Sequence, residues 1–466
     1  MVSLEMNDIQ ALILSGHNHL AQVAYYFLQI GDRAKAKRWL GTLSDQIATA
    51  RHRQKDETKP DTALHIAFTA SGLRAIGLPE DDLHAFQWEF TNGMSAPARA
   101  RILGDTGESS PDKWEWGSPA GKPVHVLLIL YAKDIPTLEA ACKEQEQAFA
   151  NGGLILVARE QAHPRTDMKE PFGFRDSIAQ PNVEGGHRTA SEEPPARAGE
   201  FILGYLNEYD FIPFSPEVNA ESDPQGVLPM SAAHAGRKDL GRNGTYVVVR
   251  KLRQDVEGFW KYCEDQTRKP DGTPDAERRV WLASKMVGRW PSGTSLVQSP
   301  DKDDSKFSDD PRRINRFLYM PTDPNGFKCP IGSHVRRSNP RDSLPPDSQE
   351  SLNASSHHRL LRRGAPYQAA NAATGKTEQG LIFVALNADL RRQFEFCQQS
   401  WINDEHFNGL YNTEDPIAGD SDGTSTFMVP GPGVRQTFTG YQRFVHTRAG
   451  AYFFMPGIKA LKYLAG

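Results

Sequence analysis

The 466 residues are 38% hydrophobic and 24% charged, an ordinary profile for a globular chain with room for about two to three domains. A formal net charge of −4 argues against a nucleic-acid or anionic-membrane partner. Basic residues gather locally instead, around 311–341 and 359–363, where they suit a small or buried anion. No apolar run approaches the roughly 20 residues needed to span a bilayer. The start, MVSLEMNDIQALIL, lacks a basic n-region, so a cytoplasmic chain is expected. Cys142, Cys263, Cys329 and Cys397 are far apart and form neither CxxC nor CxxCH, which points to reduced thiols rather than a disulfide framework or zinc ribbon.

In chain order, Asp8–Leu14 (DIQALIL) reads as a short buried strand. The stretch after it, to about Arg53, reads as helix from the spacing of Val23, Phe27, Ile30, Trp39 and Leu43. Thr62–Thr69 (TALHIAFT) predicts a second strand, followed by a helix from Leu73 that stops at Gly77. The continuous, β-branched run VHVLLILYA (Val124–Ala132) predicts a buried strand, then a charged amphipathic helix over Ile135–Ala150 and a strand in GGLILVARE. From about 184 to 240 the Gly-, Pro-, Ser- and Glu-rich segments EGGHRTASEEPPARAGE and SPEVNAESDPQG read as loop or linker. Strand then helix resumes in GTYVVVRKL (Gly244–Leu252) with DVEGFWKYCEDQ, and again in GLIFVALNADLRRQFEFCQQSW (Gly380–Trp401). AYFFMPGI reads as a buried final strand. VHVLLILYAKDIPTLEAACKEQ and GLIFVALNADLRRQFEFCQQ share a buried strand, an Asp-containing turn and a helix, a weak internal duplication. Two α+β halves, each an antiparallel sheet with helices on one face, fit this pattern better than a doubly wound parallel sheet.

Three stretches look out of place in plain scaffold. In PFGFRDSIAQP (Pro171–Pro181), Asp176 sits among apolar residues beside Arg175. It is either an acid–base group tuned by desolvation and a charge partner, or an Asx-turn residue capping the next segment. In CPIGSHVRRSNPR (Cys329–Arg341), His334 is either an ordinary hydrogen-bonded histidine or a metal ligand. A zinc site with Cys329 lacks a second pair at suitable spacing, so any metal would rest on one protein ligand. Arg336, Arg337 and Arg341 offer guanidinium forks for carboxylates or phosphates. In HHRLLRRGAPY (His357–Tyr367), the turn after Arg362 and Arg363 would project an arginine toward a developing negative charge; two solvated arginines are the plain alternative.

Together these segments resemble the dye-decolourising peroxidase family of haem enzymes. The likeness covers most of the chain, with GFRDS, CPIGSHVRRSNPR and LLRRGAPY the most specific pieces. It is supported by HIAFTASGLRAIGL, GLIFVALNADLRRQFEF, DPIAG at Asp415–Gly419, and AYFFMP. The resemblance implies two ferredoxin-like α+β halves: 1–235 carrying the distal Asp loop and 236–466 binding haem b. It implies His334 as proximal iron ligand, Asp176 as distal acid–base residue and Arg362 as distal arginine. Phe174, Ser177, Leu381 and Phe383 would line the haem site, and Arg336 and Arg337 would meet the haem propionates. Asp415 or Glu405 would supply the carboxylate behind His334, and Tyr367 and Trp401 would be surface aromatics that pass electrons from bulky donors. The implied partners are hydrogen peroxide and aromatic or dye donors, with no nucleic acid and no membrane.

Two departures stand out. Ser177 replaces the second glycine of the family's Gly-x-x-Asp-Gly motif, which would cost about 1–2 kcal/mol if that position needs positive φ. Gln368 replaces the glycine usual after Pro-Tyr. A carboxylate base also stays ionised at low pH where a histidine would be protonated, so dye oxidation is expected to have an acidic optimum. The competing readings are a chlorite-dismutase-like haem protein with the same paired halves, and a catalytically impaired haem binder.

Overall fold

One order of elements occurs twice. The structure is a computed structural model that describes residues 3–54, 56–163, 167–186, 194–370, 375 and 377–466. The first unit runs β1 (Gln22–Ile30), α1 (Arg33–Ser44), β2 (Thr62–Phe68), β3 (Val126–Ala132), α2 (Ile135–Asn151) and β4 (Leu154–Ala162). The second runs β5 (Thr245–Gln254), α3 (Val256–Asp265), β6 (Leu361–Arg362) with β7 (Ala365–Ala370), and β8 (Thr377–Asn387). It closes with a π-helical segment over 391–402 and β9 (Val445–Met455). The strands join in one antiparallel sheet, ordered β4–β1–β3–β2–β9–β5–β8–β6, with β7 also on β8. Each half therefore has its fourth, first, third and second strands side by side, the ferredoxin-like arrangement.

The halves meet where Phe68 of β2 pairs with Phe454 of β9. At the opposite edges, His163 N–H donates to the Pro366 carbonyl at 3.0 Å, so the sheet curls until its outer strands touch. Alternation then sorts the side chains. Phe27, Leu127, Ile129, Val247, Val249, Ile382, Val384 and Phe453 fill the enclosed side, where the Phe27 and Phe453 rings are 6.3 Å apart. Tyr26, Leu28, Leu128, Leu130, Tyr246, Val248 and Ala385 turn outward beneath the helices. Each large apolar side chain so buried contributes about 1.5–3 kcal/mol.

The Asp-containing turns of the duplication have a local cause. Asp134 accepts from Thr137 N at the start of α2, and Asp389 accepts from Arg392 N at the start of the π-helical segment, each capping an unsatisfied first-turn donor.

The N-terminal expectation is corrected in two places. Ala11–Leu14 is a buried helical turn, not a strand. The region read as one helix begins with β1, whose QVAYYFLQI is buried on both faces and so shows no alternation. The expected linker is more than a tether: Phe201, Ile202 and Leu203 are fully buried, and Glu217–Asn219 pairs with Arg237–Asp239; residues 187–193 of it lie outside the described residues. The final strand is followed by a helix, Ile458–Ala465. Among the described residues no helix is long and apolar enough to cross a membrane.

Candidate active site

The segment around His334 is anchored before it is functional. Ser333 Oγ donates to the Lys285 carbonyl at 2.5 Å, fixing the start of α4 (His334–Ser338) on the helix Ala276–Val287. His334 Nδ1 lies 2.8 Å from Asp415 Oδ2, and Asp415 is fully buried. Asp415 Oδ1 is committed to the backbone N–H groups of Ile417 (2.8 Å) and Ala418 (2.9 Å). An ionised carboxylate only accepts, so Nδ1 carries the proton and Nε2 keeps its lone pair. Burial opposes charge on both groups. Their mutual attraction nevertheless raises the imidazole above its ordinary pKa and holds the Asp415 carboxyl below its own. The His334 side chain keeps 29% of its surface open, while its carboxylate partner has none. Glu405, the other carboxylate weighed for this role, faces His406 at 3.7 Å instead.

Asp176 is carried by a tight hairpin. Its N–H donates to the Met168 carbonyl (3.0 Å), Lys169 bridges Arg175, and Ser177 N–H donates to Asp176 Oδ1 at 2.6 Å. Ser177 sits at φ 60, so the position needs the left-handed backbone that a glycine would adopt more easily. Arg175 is not the charge partner of Asp176: its guanidinium donates to the Ser308 carbonyl and lies 3.9 Å from Asp309. Asp176, Ser177, Glu170, Asn315 and Arg362 line one cavity of about 1930 Å³.

Arg362 ends β6 opposite Ala385 of β8, with its N–H fixed by Gln180 Oε1 at 2.9 Å. Directly paired residues share a face, and so do residues two apart. Arg362 is therefore on the same face as Ala385, Phe383 and Leu381, and the last two are half-buried there. His334 does not line the 1930 Å³ cavity itself. It is tied to it electrostatically, since the charges of Arg362 and Glu170 both act on the imidazole. Gln368 pairs with Gln379 in an exposed stretch of β7 and has no bearing on this geometry.

Several expected site residues have protein partners of their own. Arg336 and Arg337 are almost completely buried. Arg336 donates to Asp323 and the Cys329 carbonyl and stacks on Tyr319; Arg337 donates to the carbonyls of Trp401, Asp404 and Thr413. The terminal nitrogens of both forks are taken by protein acceptors, and only the Nε of each lacks one. Phe174 is taken into an apolar cluster beside Trp260 and does not line the cavity, whereas Arg175, Asp176, Ser177 and Ile178 do. Tyr367 and Trp401 are 2% and 5% exposed, not surface groups. Tyr367 donates to Glu378 Oε1, and Trp401 packs edge-on to His358 and Phe396.

Two contributors were not anticipated. Glu170 lies beneath the Asp176 hairpin, its carboxyl pushed up to about 7, chiefly by burial. Arg289 is buried and pushed down to about 10 by burial and then by the charges of Arg341 and Arg362, so three guanidiniums crowd one region. Arg289 donates to the Gly293 and Ile314 carbonyls and to Asn315 Oδ1, and Arg341 to the Asn315 and Phe317 carbonyls.

Among the described residues no three His, Cys, Asp or Glu side chains gather as a metal cage. A single imidazole with a fixed lone pair is instead what a metalloporphyrin requires, since the macrocycle brings its own four nitrogens. A carboxylate and a guanidinium lining one cavity, with an imidazole electrostatically coupled to it, fit a haem oxidoreductase. The comparisons name the family. The model of the DyP dimeric alpha+beta barrel domain matches residues 8–163, and that of the Dyp-type peroxidase C-terminal domain matches 303–421. A dye-decolorizing peroxidase of Exidia glandulosa is 29% identical over 98% of this chain and 87% of its own length. A multifunctional dye peroxidase of an Amycolatopsis species is 27% identical over 98% and 96%. The crystal structure of a fungal DyP-type peroxidase from Auricularia auricula-judae superposes with TM-score 0.80 at 26% identity, over 100% of both chains. The chain belongs to the dye-decolourising peroxidase family and is a haem peroxidase.

Proposed function

We propose that the protein uses hydrogen peroxide to oxidise dyes, phenols and other aromatic one-electron donors, with non-covalently held haem b. The division is near 235/236: the N-terminal half carries the Asp176 loop and the C-terminal half the haem ligand. The observation that carries the reading is the His334–Asp415 pair at 2.8 Å, whose tautomer leaves Nε2 as a donor atom, electrostatically coupled to Arg362. His334 would ligate the iron, with Asp415 making the imidazole more electron-rich. When bound, the haem supplies the redox centre at which peroxide is reduced and donors are oxidised one electron at a time. Asp176 would take the proton from the inner peroxide oxygen and deliver it to the outer one, so that water can leave. Arg362 would offset negative charge on the departing oxygen. Leu381 and Phe383, on the Arg362 face, would give that side an apolar wall. The four cysteines are free and buried, which suits a reducing compartment.

The test is peroxide-dependent oxidation of an anthraquinone dye and a simple phenol by wild type and Asp176→Asn. The reading requires haem-dependent turnover by wild type and a loss of about 10²–10⁴-fold in kcat/KM for peroxide in the variant. Equal rates would refute Asp176 as the proton carrier.

A further inference from the structure

We propose that Glu170 is a positioning residue for the peroxide reaction, holding in place the backbone that presents Asp176. This rests on the role given to Asp176 above. The side chain of Glu170 closes its own hairpin: Oε1 accepts from Phe174 N at 2.9 Å, and Oε2 accepts from Phe172 N at 2.9 Å and Gln254 Nε2 at 2.7 Å. Its main chain completes the loop, Glu170 N–H donating to the Phe174 carbonyl (2.9 Å) and Gly173 N–H to the Glu170 carbonyl (2.8 Å). Gln254 belongs to β5, so one carboxyl ties the tip of the distal hairpin to the central sheet. Phe172 and Phe174 lock the same tip into the apolar cluster around Phe259 and Trp260. Asp176 lies two residues beyond Phe174, where an ångström of slack would matter for proton transfer.

In its ionised form, present above about pH 7, the carboxylate satisfies more of these partners than any neutral polar group could. Both oxygens accept, and all three partners are N–H donors. An amide at this position offers one acceptor and sets its NH₂ against a donor on the other side; alanine leaves two backbone N–H groups without their partner. Glu170 also lines the cavity with Asp176, and the Asp176 charge contributes to its raised pKa, so the two carboxyls are neighbours across the hairpin.

The experiment is a double-mutant cycle on the holoenzyme with Glu170→Ala, Asp176→Asn and the double variant. It reads kcat/KM for peroxide, kcat/KM for the donor, and amide hydrogen exchange over 168–176. A residue that acts through Asp176 loses its effect when Asp176 is gone. Glu170→Ala should therefore lower kcat/KM for peroxide by about tenfold or more, change it less than about twofold in the Asp176→Asn background, and leave the donor constant unchanged. The amides of Phe172, Phe174 and Asp176 should exchange faster. Glu170→Gln should fall between alanine and wild type. A wild-type peroxide rate in Glu170→Ala, or an equal loss in both backgrounds, would overturn the proposal while leaving Asp176 its role. Full activity in Asp176→Asn would overturn both together, which separates the two failures.

Discussion

Asp415→Asn offers a sharp test, because the structure dictates how the replacement must sit. Oδ1 of Asp415 already accepts two backbone N–H groups, from Ile417 and Ala418, at 2.8 and 2.9 Å. The asparagine carbonyl oxygen must stay there, since its nitrogen cannot accept. The NH₂ is then aimed at His334 Nδ1, where the carboxylate oxygen now lies 2.8 Å away. Two donors cannot share that contact, so the imidazole proton moves to Nε2, the atom that must give a lone pair to iron. The lost hydrogen bond to an ionised partner contributes about 1.5–3 kcal/mol. At about 1.4 kcal/mol per factor of ten, haem affinity should fall about 10–100-fold, the range typical for the partner of a metal-bound histidine. Titrating haem-free wild type and variant with hemin and following the Soret band measures this directly. Thermal unfolding of the haem-free forms controls for damage to the fold. Wild-type affinity together with a wild-type spectrum in Asp415→Asn would refute the tautomer argument.

Other outcomes follow from the same geometry. Ser177→Gly should raise stability by about 1 kcal/mol by relieving the φ 60 backbone, read as an upward shift of the denaturant midpoint with the Ser177-to-Asp176 backbone contact kept. Arg336→Ala should cost about 3–5 kcal/mol by stranding buried Asp323, yet leave peroxide kinetics per bound haem unchanged; weakened haem binding without destabilisation would restore a propionate role. Arg362→Leu should lower kcat/KM for peroxide by about 10²–10³-fold, measured by stopped flow. Glu170 titrates at about 7 in the folded chain against an ordinary 4.5. The fold thus binds that proton more tightly than the unfolded chain, and the corresponding stability is present below about 4.5 and is lost as pH rises through about 7. Urea midpoints of wild type relative to Glu170→Gln should fall across that window, and a flat difference would contradict it.

What the sequence disclosed depended on whether a signal was local. VHVLLILYA and GTYVVVRKL each hold an unbroken β-branched or apolar run bounded by turns, and both contain strands. QVAYYFLQI has the same physics but was hidden by a chance helical spacing that continues into the true helix Arg33–Ser44. The three site segments were visible because histidine, arginine and aspartate stood where scaffold had no use for them. Their partners were not visible. Asp415 and Glu405 are equally carboxylates in sequence, and only the fold brings one of them 81 positions back to His334. Arg336 and Arg337 read as ligand forks because nothing local shows that Asp323 and the Cys329 carbonyl will engage the first, and the carbonyls at 401, 404 and 413 the second. Tyr367 and Trp401 failed as surface groups for the same reason: their burial is set by distant strands and rings. Glu170 had a local signal, a carboxylate two and four residues ahead of the loop N–H groups it accepts from, that was overlooked beside Asp176.

The central claim is that the imidazole of His334 would hold the haem iron. Visible absorption spectra of wild type and His334→Ala, both produced with ample haem, test it most directly. The account predicts about one haem per wild-type chain with a histidine-ligated Soret band, and a variant that is folded but haem-poor or spectrally altered, with imidazole in the buffer restoring part of the band. A His334→Ala protein carrying the same haem load with an unchanged spectrum would contradict it.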